Sequence, residues 1–83
     1  MEISEKSNHY EEMKKYTVIY EWTGNNYSAY VPDLPGCIAC DDTLEKTERL
    51  IKEAIGLYIT TLQEERRPVP EPTTKARLVE VGV

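Results

Sequence analysis

An α+β fold is predicted for this chain: a small, mostly antiparallel sheet with one face covered by a single long helix, in the order β-β-β-α-β. Three features carry the prediction. Residues 16–22 are rich in β-branched and aromatic side chains, and turn formers and a return strand follow them. Residues 44–62 then place apolar side chains at helical spacing over a length that ordinary strands do not reach. Residues 75–83 return to alternation, with Val79, Val81 and Val83 on one face of a last strand.

The first strand ends at Thr23-Gly24-Asn25-Asn26, residues that tolerate positive φ and so predict a hairpin turn. A four-residue loop pairs Trp22 with Tyr27, Tyr20 with Ala29 and Val18 with Val31. Those six side chains share the face expected to meet the helix, while Thr17, Ile19, Glu21, Ser28 and Tyr30 share the other. Pro32 and Pro35 lack backbone donors, so the second strand stops in the Pro32-Asp33-Leu34-Pro35-Gly36 turn. A short strand over residues 37–41 follows.

For the helix start, Asp42 as N-cap sets Glu45 at the third helical position, a box-like arrangement, whereas Thr43 as N-cap sets Lys46 there. Leu44, Thr47, Leu50, Ile51, Ala54, Ile55, Tyr58, Ile59 and Leu62 define the helix stripe. Arg66 and Arg67 suit its last turn, and Pro68 ends it. Gly56 in mid-helix costs about 1 kcal/mol relative to Ala unless a close backbone contact offsets it. Residues 68–72 form an extended connector. The organisation is a polar N-terminal tail, 1–15, and one domain, 16–83.

Eighty-three residues are near the lower end of what folds without cross-links, so self-association, as a dimer or higher assembly, is expected. No apolar run approaches a membrane span and no signal-peptide core is present; a cytoplasmic protein is expected. With 15 acidic against 10 basic residues, net charge −5, the chain would be repelled by nucleic acid and suits a basic protein partner.

Several chemistries are disfavoured. Cys37 and Cys40 form a C-x-x-C, but in a strand that spacing separates the Cα atoms by roughly 10 Å with side chains on opposite faces. A disulfide requires about 7 Å or less, and a zinc site would find only His9 nearby in type. Two free thiols are therefore expected. Asp33, Asp41, Asp42 and Glu45 crowd the strand-to-helix junction, yet Asp42 has a capping role and Asp33 a turn role, which argues against a metal site. No Ser-His or Cys-His couple and no Gly-rich phosphate loop is present, so neither catalysis nor a cofactor is expected. Most aromatic residues read as packing, but Tyr30 lies with Ile19 on a face that one helix leaves bare.

The run Tyr27, Ala29, Val31 through Cys37, then Asp42-Thr43-Leu44-Glu45, resembles the HicB-type antitoxins. So do Ile51 through Ile55, Leu57-Tyr58 and the Pro68-x-Pro that follows. The chain differs from the usual family pattern at Asp41, Lys46 and Thr47. The resemblance implies a partial ribonuclease H-like fold without nuclease activity, which neutralises a small basic mRNA-cleaving toxin, HicA, by occluding its active site. Full-length members carry a C-terminal DNA-binding module; none is recognised here, so DNA binding is not expected. The partner-binding residues expected on this reading are Glu21, Tyr30, Asp33, Leu34 and Asp41. The alternative is a homo-oligomeric structural or interaction protein of the same fold with no toxin partner.

Overall fold

The computed structural model describes residues 13–83; most of the expected polar tail lies outside them. Three strands, β1 (Ile19–Trp22), β2 (Tyr27–Tyr30) and β3 (Ile38–Asp41), form an antiparallel sheet in the order β1-β2-β3, and one long helix, α1 (Leu44–Glu64), follows. The α+β class and the hairpin register are as the sequence predicts: Trp22 lies opposite Tyr27 and Tyr20 opposite Ala29. The hairpin turn is closed by the Thr23 amide donating to the Asn26 carbonyl at 2.8 Å, with Gly24 at φ 111°.

Two consecutive turns build the proline-rich connection from β2 to β3. The Leu34 amide donates to the Val31 carbonyl and the Cys37 amide to the Leu34 carbonyl, each at 3.0 Å. Each turn has proline at its second position, where a fixed φ is already correct. The second turn also needs a positive φ at its third position, and Gly36 supplies it at 84°. The Val31 amide reaches the Cys37 carbonyl at 3.2 Å and closes the loop. This folding carries Leu34 inward, where it is fully buried.

Thr43, not Asp42, caps α1: its hydroxyl accepts from the Lys46 amide at 3.1 Å. The box with Glu45 is therefore lost, and Asp42 instead meets the Lys46 ammonium at 3.3 Å, one turn along. The helix ends earlier than its basic residues. The Arg67 amide donates to the Leu62 carbonyl at 2.8 Å and the Arg66 amide to the Gln63 carbonyl at 3.1 Å. With Arg66 at φ 57°, this is a Schellman closure. Arg66 and Arg67 lie beyond the last turn, which holds no basic residue.

The core lies between α1 and one sheet face. Ala29, Val31, Leu34, Cys37 and Ile51 are buried together, with Val18, Tyr20, Ala39, Ala54, Ile55, Tyr58 and Ile59 packed around them. Thr47 is the buried polar residue among those described; its hydroxyl donates to the Thr43 carbonyl at 2.7 Å, so burial leaves no donor unmade. Nothing lies within 4 Å of a Cβ built at Gly56, so no close approach offsets its helix cost.

The expected fifth element does not form as a strand. After the helix the chain runs without regular structure, and its first part is tied to the body by side chains. Tyr16 donates its hydroxyl to the Pro70 carbonyl, and Thr17 donates to the Thr74 carbonyl at 2.8 Å. Beyond Thr74 the side chains stand in solvent. Alternation was correctly read there, but a strand needs a neighbouring edge, and residues 75–83 pair with none.

Candidate partner-binding surface

Strand alternation divides the sheet into two faces. One carries Tyr20, Ala29 and Ala39 against the helix. The other carries two rows set by the register: Ile19, Tyr30 and Ile38 across the three strands, and Glu21, Ser28 and Cys40 beside them. No described element covers this second face. Ile38 is 68% exposed and Tyr30 39%, and Glu21 is exposed beside them. Three apolar side chains from three strands thus form a contiguous patch with one carboxylate, Glu21, beside it, and contiguous patches mark a partner site more often than isolated exposed hydrophobes do.

The five sequence-predicted site residues do not converge on one surface. Glu21 and Tyr30 share the bare face. Asp41 projects to the opposite side, in the row of Trp22 and Tyr27. There the two rings meet at 5.0 Å between centroids, tilted by 58°, and its carboxylate accepts from the Asp42 amide at 2.6 Å.

Leu34 has no accessible surface. A side chain already in the core cannot anchor a partner, so Leu34 is removed from the set.

Asp33 is engaged within the chain. One carboxylate oxygen accepts from the amides of Thr73 and Thr74, at 3.1 and 3.0 Å; the other accepts from their hydroxyls, at 3.1 and 2.9 Å. The Thr74 amide bond is the largest of the effects that hold its carboxyl below the usual aspartate range. Asp33 therefore fastens the segment after the helix to the proline-rich turn, a role that no local sequence signal announces. Ile38 joins the Tyr30 row as well, and the sequence reading did not single it out. Its side follows from alternation once Cys37 is placed in the core.

The two cysteines are free, Cys37 buried and Cys40 exposed. Burial pushes the Cys37 thiol up, away from the thiolate that redox or metal chemistry requires. Among the described residues, no group of three or more His, Cys, Asp or Glu side chains is placed to hold a metal ion. No described helix is long and apolar enough to cross a membrane.

Comparison with known proteins decides what kind of domain presents this face. A family model described as a HicB-like antitoxin of bacterial toxin-antitoxin systems matches residues 16–81. The chain belongs to the HicB-like antitoxin family. A UPF0150 protein of Synechocystis is 44% identical over 57 residues, a match covering 68% of this chain and 72% of that protein. An uncharacterised 14.9 kDa protein of Haemophilus phage HP1 is 34% identical over 56 residues, covering 68% of this chain and 42% of its own length. A UPF0150 protein of Helicobacter pylori is 42% identical over 45 residues, 54% of this chain and 62% of that protein. The match thus spans less than two thirds of the phage and Helicobacter proteins. No solved structure gives a significant match. The HicB-like match takes in both rows of the bare face, the Asp33 fastening and most of the segment that follows it.

Proposed function

We propose that this chain is a non-catalytic antitoxin that binds a small basic, mRNA-cleaving toxin of the HicA type and occludes its active site with the bare sheet face. Membership of an antitoxin family supports a toxin–antitoxin role in general. The observation that carries the finer reading is the Ile19–Tyr30–Ile38 row, with Tyr30 and Ile38 exposed, Ile19 half-buried and Glu21 at its rim, in a chain of net charge −5. A ribonuclease that grips phosphates must present cations around its groove. Glu21 would pair with one of them, in the field of a net-acidic chain, while the apolar row excludes water from the centre. Asp41, on the other face beside Trp22 and Tyr27, is assigned a peripheral place at most. The partial ribonuclease H-like relationship and action in the cytoplasm belong to the same proposal.

The test is cleavage of RNA by a HicA-type toxin, with and without the pure protein. Stoichiometric addition should abolish cleavage, and Tyr30→Ala should weaken inhibition by about 2 kcal/mol, the size of an interface hot spot. A toxin left fully active by saturating protein contradicts the proposal, as does Mg²⁺-dependent RNA cleavage by the protein alone. A second reading, a homo-oligomeric interaction protein of the same fold without a toxin, is favoured by a separate observation: the bare aliphatic side chains after Thr74.

A further inference from the structure

Residues 75–83 carry four aliphatic side chains that the described residues of their own chain leave uncovered. Leu78 and Val83 are fully exposed, Val79 is 79% exposed and Val81 73%. The segment alternates like a strand yet belongs to none. Its root, by contrast, is held firmly: Asp33 accepts four hydrogen bonds from Thr73 and Thr74, and Thr17 binds the Thr74 carbonyl. An anchored root followed by a bare alternating run is an arm.

The matching receptor is also present. The outer edge of β1 pairs with no other strand among the described residues, because β1 stands at one end of the sheet. Unpaired edges of this kind accept an added strand through backbone hydrogen bonds, with alternate side chains setting the fit. We infer that residues 75–83 of one copy add as a fourth strand to the β1 edge of a second copy, and that the exchange is reciprocal.

Four observations select a second copy as the occupant. Each copy has one arm and one open β1 edge, so a two-fold exchange satisfies both and closes the assembly. The arm is rooted beside the start of β1 through Thr17, so a dyad near that point brings the partner's β1 within reach of a nine-residue strand, about 30 Å at full extension. Lys75 and Arg77 outweigh Glu80, making the arm a cationic segment in a chain of net charge −5, and β1 carries the exposed Glu21. Finally, the family match runs through Val81, so most of the arm is part of the family unit.

The inference does not rest on toxin binding, and its test reads mass rather than inhibition. Light scattering of the full chain at about 50 μM, a concentration at which a specific dimer is populated, should give twice the 9.6 kDa chain mass. Val81→Pro removes a backbone donor from the arm, and Val79→Lys with Val81→Lys charges its apolar face. Both variants alter side chains that are exposed within the chain, so helix content by circular dichroism should not change. Each should raise the dimer dissociation constant by about a hundredfold or more. The amides of β1 that point away from β2 should lose protection from hydrogen exchange in the same variants. Leu57→Lys, on the exposed side of the helix, should leave the mass doubled. A full chain that runs as a monomer overturns the inference, as does a doubled mass that survives the arm variants. Dissociation by Leu57→Lys alone, or β1 amides that exchange alike in all variants, also overturns it.

Discussion

Arg66 holds a left-handed backbone conformation that a side chain disfavours, φ 57°, at the position where helices commonly carry glycine. The Schellman bonds require that conformation whichever residue stands there. Arg66→Gly should therefore stabilise the protein by about 1 kcal/mol in urea unfolding, through relief of the Cβ penalty. Asp33 works in the opposite sense, as a side chain whose charge the fold uses. Its carboxyl is held low chiefly by the Thr74 amide. A folded pKa below the unfolded one contributes stability that is present above the ordinary aspartate value, about 3.9, and is lost as pH falls through the folded value. The Thr73 and Thr74 amide resonances should accordingly titrate together, with a midpoint below that ordinary value. Asp33→Asn should remove the transition, and a midpoint at or above the ordinary value would show that the fastening does not form.

At the scale of elements, α1 has one well-made start and one avoidable weakness. Thr43→Ala should cost about 1 kcal/mol by removing the bond to the Lys46 amide. Asp42→Ala, which loses an exposed ion pair, should cost a few tenths. If Asp42→Ala proves the more damaging change, Asp42 is the cap. Gly56→Ala should add about 0.5–1 kcal/mol, because the space around a new Cβ is open. The hairpin was legible in the sequence because Thr23 through Asn26 fix the loop length, and loop length fixes the register. The helix was legible from its apolar period. Its first residue was not, since Asp42 and Thr43 are both good caps and differ by one position. Of the proposed surface, alternation alone assigns Glu21 and Tyr30 to the uncovered face. Leu34 was expected to meet a partner from its proline-rich turn, but two successive turns fold it into the core. Asp33 meets residues 40 and 41 positions away, beyond any local signal.

At the scale of the whole molecule, the described residues bury one face of the sheet and leave the other uncovered. One helix can cover one face of three short strands and no more. Its exposed apolar regions include the Ile19–Tyr30–Ile38 row, Leu57 with Leu50 on the outer side of α1, and the aliphatic run after Thr74. The central claim is that a toxin is held by the first. Glu21→Lys, a change at the rim, should slow association and weaken its salt dependence, whereas Tyr30→Ala should speed dissociation. The most direct measurement is methyl NMR of the full chain titrated with a catalytically inactive form of a HicA-type toxin. The Ile19 and Ile38 methyl resonances should shift or broaden at a one-to-one ratio while those of Leu57 stay in place. Movement at Leu57 with Ile19 and Ile38 unchanged would place the toxin on the helix and contradict the account.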